Sequence, residues 1–135
     1  MPASLSIVIP TLNAASKIGP TLASLYEGID IGLIKELIIT DGGSVDEIEI
    51  LSEEIGAVFI NGEAGRGTQL HNGALITKAP WILFIHADTI LSKGWPNVIF
   101  EHISKYKDAG FCKLAFDNNG FISKIISLGA NLRSN

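Results

Sequence analysis

The chain has 135 residues, 47% of them hydrophobic and 18% charged, and a formal net charge of −4. That length suits one compact domain with a real core rather than two, and the composition is globular rather than disordered. With no basic surplus to release counterions, the charge balance argues against nucleic acid as the main ligand.

A single cysteine, Cys112, rules out an internal disulfide and fits a reducing compartment. Met1-Pro2-Ala3-Ser4 runs straight into a strand without a basic n-region, and no apolar run approaches the length of a membrane span. The expectation is a soluble, cytoplasmic protein, with peripheral membrane contact left open.

In chain order, Leu5-Ser6-Ile7-Val8-Ile9 is a short β-branched run stopped by Pro10, and Thr11-Leu12-Asn13 forms the turn after it. Ile18, Leu22, Leu25 and Ile29 recur at helical spacing, with Asn13 or Ser16 as the expected N-cap and Gly28 and Gly32 marking the exit. Pro20 is tolerated in the first turn, where backbone N–H groups have no helical partner. Glu36-Leu37-Ile38-Ile39-Thr40 is the second strand, ending at Asp41-Gly42-Gly43-Ser44. Ser44-Val45-Asp46-Glu47 has the form of a capping box, which predicts a helix from there to about Gly56. Ala57-Val58-Phe59-Ile60 is a third strand, and the glycine-rich loop 61–67 leads into a helix ending near Lys78.

Trp81-Ile82-Leu83-Phe84-Ile85 reads as a buried strand of a parallel sheet, and it stops at His86-Ala87-Asp88-Thr89. A helix follows, carrying Trp95, Val98, Ile99, His102, Ile103 and Tyr106, then a strand over roughly Gly110 to Phe116 with Cys112 as a small buried hydrophobe. After the turn Asp117-Asn118-Asn119-Gly120, a last helical segment carries Phe121, Ile122, Ile125, Ile126 and Leu132 on one apolar stripe. Strands alternating with helices at short intervals imply right-handed βαβ units. The fold class is therefore α/β, a Rossmann-like, mostly parallel sheet with helices on both faces. Residues 1–135 form one domain, in which the uncovered stripe within the end segment 115–135 is an expected interface.

Three polar clusters end three of these strands: Pro10-Thr11-Leu12-Asn13, Asp41-Gly42-Gly43-Ser44 and His86-Ala87-Asp88-Thr89. Ligands of open α/β sheets collect just outside the carboxyl ends of the strands, so neighbouring strands would bring the clusters to one crevice. There Thr11 and Asn13 can hydrogen-bond a base or ribose, Asp41 can accept from a nucleobase N–H, and Gly42-Gly43 lets backbone approach a ligand. Asp88, a hard carboxylate, suits Mg²⁺ or Mn²⁺ shared with substrate phosphates. Gly65-Arg66-Gly67 opening a helix joins free N–H groups, the positive helix end and a guanidinium, which together fit an anion. His86 can ligate metal, hydrogen-bond a ribose or position Asp88, His71 can face the crevice, and His102 falls on an apolar helix face. Neither a Walker loop nor a full G-x-G-x-x-G pattern is present.

In combination and order, Ile7-Val8-Ile9-Pro10-Thr11-Leu12-Asn13, Ile38-Ile39-Thr40-Asp41-Gly42-Gly43-Ser44, Gly65-Arg66-Gly67 through Gln69 and Asn72-Gly73-Ala74, and Leu83 through Thr89 resemble the family-2 glycosyltransferases of the GT-A fold. The resemblance covers essentially the whole chain. His-Ala-Asp-Thr in place of the D-x-D motif, with the Gly-Arg-Gly loop, resembles one bacterial subgroup.

The resemblance implies that Thr11, Asn13 and Asp41, with Gly42 and Gly43, line the nucleotide pocket of a nucleoside diphosphate sugar. It puts Arg66 and His86 near that nucleotide and Asp88 on the Mg²⁺ or Mn²⁺ that neutralises its diphosphate. An acceptor hydroxyl, of an unspecified acceptor, then attacks the anomeric carbon. His71 stands where the subgroup usually has asparagine. Family members continue past the position of Asn135, into a half that supplies the acceptor site and a carboxylate base, and Glu101, Asp108 and Asp117 match no base motif. The implied product is a donor-binding part with little transferase activity of its own. The alternative is a non-catalytic nucleotide-sugar-binding or interaction module that works as a homo-oligomer or with a complementing chain through 121–132. A nucleotidyltransferase of the pyrophosphorylase kind would want a longer glycine-rich loop where Asn13-Ala14-Ala15-Ser16 stands.

Overall fold

A computed structural model describes residues 3–105 together with the strands Phe111–Phe116 and Ile122–Leu128. The elements in order are β1 (Leu5–Thr11), α1 (Ile18–Ser24), α2 (Tyr26–Asp30), β2 (Ile34–Asp41), α3 (Ile48–Glu54), β3 (Val58–Asn61), α4 (Arg66–Leu75), β4 (Trp81–Phe84), α5 (Trp95–Lys105), β5 (Phe111–Phe116) and β6 (Ile122–Leu128). They build one sheet in the order β3-β2-β1-β4-β6-β5. β3, β2, β1 and β4 run parallel, whereas β6 lies antiparallel to both β4 and β5.

The central strands are apolar on both sides because both faces are covered. Leu5, Ile7 and Ile9 of β1 point into the larger core with Ile18, Leu25, Ile48, Trp95 and Ile99, which brings α1, α3 and α5 onto one face. Val8, between them in sequence, points the other way and packs with Ile38, Ile82 and Ala74 beneath α4. The approach of α4 is close enough that a Cβ on Gly73 would lie 2.5 Å from Val8 Cγ1. Helices thus cover both faces, as the alternating pattern predicts.

Three local expectations fail, each for a physical reason. The helix after β1 is broken in two at Leu25, whose N–H bonds back to Leu22 O, and Ser24 Oγ bonds to Thr21 O rather than leaving that carbonyl to the helix ladder. Neither Asn13 nor Ser16 caps it: the N-cap is Lys17, without a side-chain bond. The capping box at Ser44 does not form either. Helix α3 starts at Ile48, and Asp46 Oδ1 accepts from the Ile48 N–H while Ser44 is engaged elsewhere.

The expected final helix is β6. Its isoleucines satisfy a helical stripe and a strand equally on so short a run, and β-branching favours the strand. The register Leu83↔Ile126 and Cys112↔Ile126 puts β6 between β4 and β5, so both of its edges are paired. Over 122–128 the sequence therefore forms a strand paired on both edges, not an apolar helical stripe. The turn at 117–120, residues 129–135 and the side chains of His102 and Cys112 lie outside the described residues. Among those described, no helix is long and apolar enough to cross a membrane.

Candidate functional site

Because β2, β1 and β4 are neighbours in the sheet, their carboxyl ends do open onto one crevice. Thr11 ends β1 opposite Asp41 at the end of β2. On the other side β4 pairs Val8 with Phe84, and the Ile85 N–H continues the ladder to Val8 O at 3.1 Å before the chain turns out at His86. That turn is closed by Thr89 N–H to His86 O and tethered by Thr21 Oγ1, which donates to Ala87 O at 2.6 Å. Thr89 Oγ1 is fully buried and has no hydrogen-bond partner among the described residues.

The resulting cleft holds about 480 Å³ and is lined by Pro10, Thr11, Leu12, Ala14, Lys17, Gly65, Arg66, Gln69, His86, Ala87 and Asp88. Of the residues singled out by sequence, Thr11, Arg66, His86 and Asp88 meet here. Asn13, Asp41, Gly42 and Gly43 lie in the adjoining turns rather than in this lining. Asn13 instead borders a neighbouring hollow with Ser16, Val45 and Asp46. His71 is exposed and outside both.

Asp41 is only 2% exposed and is saturated with donors. Its Oδ1 accepts from Thr11 Oγ1 at 2.7 Å and Ser44 Oγ at 2.6 Å. Its Oδ2 accepts from the N–H groups of Gly43 at 3.0 Å and Ser44 at 2.7 Å. Burial pushes the Asp41 carboxyl up, but the hydroxyls of Ser44 and Thr11 and the N–H groups of Ser44 and Gly43 outweigh it and hold the group below its ordinary value. Folding the chain so tightly around one carboxylate requires the left-handed backbone at Gly43, φ +99°, that glycine adopts freely.

The same turn is laced to the end of β1. Asn13 N–H donates to Ser44 Oγ at 2.7 Å, Val45 N–H to Asn13 Oδ1 at 2.9 Å, and Ala15 N–H to Asp46 Oδ2 at 2.9 Å. Asn13 makes these bonds at φ 52°, a left-handed conformation that asparagine tolerates better than most residues. Its expected capping role and that of Ser44 give way to this lacing.

The opposite wall is the start of α4. Gly65 is the N-cap at φ +148° and Arg66 the first helical residue, exposed toward the cleft. Lys17 and Gln69 also line it, and sequence reasoning passed over both. Lys17 sat in a predicted helix start like any solvated lysine, and Gln69 was one residue of a family marker inside a helical pattern. Lys17, Arg66 and Asp88 are exposed and make no side-chain hydrogen bond or ion pair among the described residues.

No group of three or more His, Cys, Asp or Glu gathers among the described residues, so no closed protein cage for a metal exists there. An exposed carboxylate facing two unpaired cations fits a different arrangement: a hard divalent cation held in part by Asp88 and in part by the oxygens of a bound phosphate. The donor set thus fits Mg²⁺ or Mn²⁺.

An open, mostly parallel sheet whose polar residues gather beyond adjacent strand ends, with helices on both faces, defines an α/β fold of the GT-A type. The family model for Glycosyl transferase family 2 matches residues 6–127, and the chain belongs to that family. A glucosyl-3-phosphoglycerate synthase of Mycolicibacterium smegmatis is 31% identical over 96 residues, which cover 64% of this chain and 31% of that protein. The chain thus spans about a third of the length of the curated relatives it matches. Among solved structures, Mycobacterium tuberculosis glucosyl-3-phosphoglycerate synthase in complex with Mn²⁺, uridine diphosphate and phosphoglyceric acid superposes with a TM-score of 0.60 at 27% identity, over 76% of this chain and 38% of that one. S. aureus TarS superposes at 0.62 over 77% of this chain and 33% of that one with 17% identity, a likeness of fold alone.

Proposed function

We propose that this chain binds a nucleoside diphosphate sugar in the cleft between β1, β4 and α4, and supplies the donor side of a glycosyl transfer to an acceptor hydroxyl. The observation that carries this reading is the meeting of Lys17, Arg66 and Asp88, all unpaired among the described residues, around one cleft beyond the strand ends. Two cations suit a diphosphate, and the carboxylate suits a cation riding on it.

The nucleoside then lies toward Thr11, Asn13 and the turn 41–44. There Asp41, whose oxygens already hold four donors, acts with Gly42 and Gly43 by fixing the shape of the turn. Arg66 and Lys17 take the diphosphate. Asp88 holds Mg²⁺ or Mn²⁺, which when bound offsets the charge that builds on the departing nucleoside diphosphate. His86 stands where a D-x-D motif has its first aspartate, as in the subgroup with His-Ala-Asp-Thr, and orients the Asp88 turn or meets the ribose. A cytoplasmic location, expected from the lone Cys112, belongs to the same reading.

The likeness to proteins solved with uridine diphosphate and Mn²⁺ makes those two the probes of choice. Calorimetric titration of UDP should show binding that tightens with Mn²⁺, and Asp88→Ala should remove the metal-dependent gain while leaving the protein folded. A folded wild-type chain that binds no UDP with or without Mn²⁺ overturns the reading.

One observation favours a second reading, a nucleotide-sugar-binding module without catalysis. Asp88 is the single carboxylate among the described residues lining the cleft, and the cation uses it, which leaves no carboxylate there to act as base. Sugar transfer by this chain alone would rule the module out.

A further inference from the structure

Gln69 is a polar side chain 5% exposed, and both polar atoms of its carboxamide are bonded to backbone. Nε2 donates to Thr11 O at 2.9 Å and to Thr40 O at 2.8 Å, the last carbonyl of β1 and the penultimate one of β2. Oε1 accepts from the Gly65 N–H at 3.0 Å. The Gln69 N–H in turn donates to Gly65 O at 2.8 Å, so Gly65 is held by Gln69 at both its polar groups. Two carbonyls on one side and an N–H on the other permit only one orientation of the amide. Gly42 fits against it so closely that a Cβ there would lie 2.9 Å from Oε1 and 3.0 Å from Ala64 Cα.

The consequence is mechanical. One buried amide locks the backbone immediately before Arg66 to the strand ends that carry Thr11 and Asp41. Arg66 has a long, exposed side chain with no hydrogen bond or ion pair of its own among the described residues, so the direction of its guanidinium is set by where its backbone starts. We propose that Gln69 is a positioning residue that aims Arg66 at the phosphates of the nucleotide, with no contact of its own to the ligand needed. This rests on the donor-site reading above.

A merely structural glutamine and a positioning one differ in which part of the ligand suffers. With Mn²⁺ present, UDP and uridine are titrated against wild type, Gln69→Met, Arg66→Ala and the double variant, each checked for fold by circular dichroism. Losing an aimed charge-assisted phosphate contact is worth about 10-fold in affinity. Gln69→Met should therefore weaken UDP by roughly that factor and leave uridine within about 2-fold. In the Arg66→Ala background it should cost UDP nothing further, because a guanidinium that is absent cannot be misaimed. Gln69→Asn keeps an uncharged amide one methylene shorter, so its UDP-over-uridine preference should fall between those of wild type and Gln69→Met, and it enters the same cycle if the methionine variant does not fold. Equal weakening of UDP and uridine, or additive losses in the double variant, overturns the positioning role while the donor-site reading stands. A wild-type chain that binds UDP no better than uridine overturns both.

Discussion

Asp41→Asn isolates the charge at the centre of the turn that follows β2 and is laced to the end of β1. The amide oxygen can keep the N–H groups of Gly43 and Ser44, at 3.0 and 2.7 Å in the wild type. The amide NH₂ then faces the hydroxyls of Thr11 and Ser44, which donate in the wild type at 2.7 and 2.6 Å and must now turn round to accept. Two charge-assisted bonds become neutral and two are reversed, while relief of charge burial offsets part of the loss. With hydrogen bonds to charged groups worth about 1.5–3 kcal/mol and neutral ones about 0.5–1.5, the expected net cost is about 2 kcal/mol. The sign with pH follows from the depressed carboxyl. As pH falls, the unfolded chain takes up its proton first, near the ordinary value of about 3.9. The stabilisation is therefore fully present above that value and is lost as pH falls through the lower, folded one. Urea unfolding of both proteins between pH 7 and 3 measures this, and the gap between them should be constant near neutrality and narrow below about pH 4. A gap that stays flat to pH 3, or widens, refutes the argument that a charged Asp41 organises the turn.

Gly73→Ala should destabilise by about 1–2 kcal/mol despite the better helix propensity of alanine, because its Cβ would sit 2.5 Å from Val8 Cγ1 in the central strand. Gly67→Ala in the same helix meets nothing within 4 Å and should be neutral or stabilise by about 0.5 kcal/mol, so opposite signs in thermal unfolding are the check. Trp95→Phe should cost about 2–3 kcal/mol by the same measurement, since it removes the indole N–H from Ser24 O at 2.8 Å and opens space beside Gly28. Because Arg66 and Lys17 are exposed, UDP affinity should fall as salt rises toward a Debye length of about 8 Å, whereas uridine affinity should barely change; equal salt dependence for the two would contradict a cationic phosphate end.

Runs such as Leu5–Ile9 and Trp81–Ile85 announced buried strands, and their alternation with helices announced a parallel sheet, because a strand is apolar along its whole length only where both faces of its sheet are covered. The place of the candidate cleft followed from the same pattern, through the polar residues that stop three of those runs. Local rules failed where a short polar side chain had a choice of partners. Ser44 and Glu47 spell a capping box, yet Ser44 Oγ lies between Asp41 and Asn13, contacts set by the pairing of β1 with β2 and invisible in a window of four residues. Ile122–Leu128 failed for another reason: seven residues carry both periods, and only the exposed edge of β4 decides between them. Gln69 gave no warning at all, since a glutamine inside a helical pattern reads as surface until the strand carbonyls it serves are in place.

The polar residues around the cleft fall into two physical kinds, and the division bears on how such a site works. Asp41, Ser44 and Gln69, with Asn13 through its Oδ1 and backbone N–H, bond to the protein itself, across gaps of up to 58 positions in sequence. The side chains of Lys17, Arg66 and Asp88 make no such bond among the described residues. A network satisfied internally can hold backbone groups in place before any ligand arrives, so little ordering remains to oppose binding at that end. Charges left unpaired at the other end are free to meet charge brought by the ligand, without first breaking an ion pair. A glycine-rich loop is the natural joint between the two kinds: Gly65 gives the left-handed turn that lets α4 start there, and the buried amide of Gln69 keeps that freedom from becoming motion at Arg66.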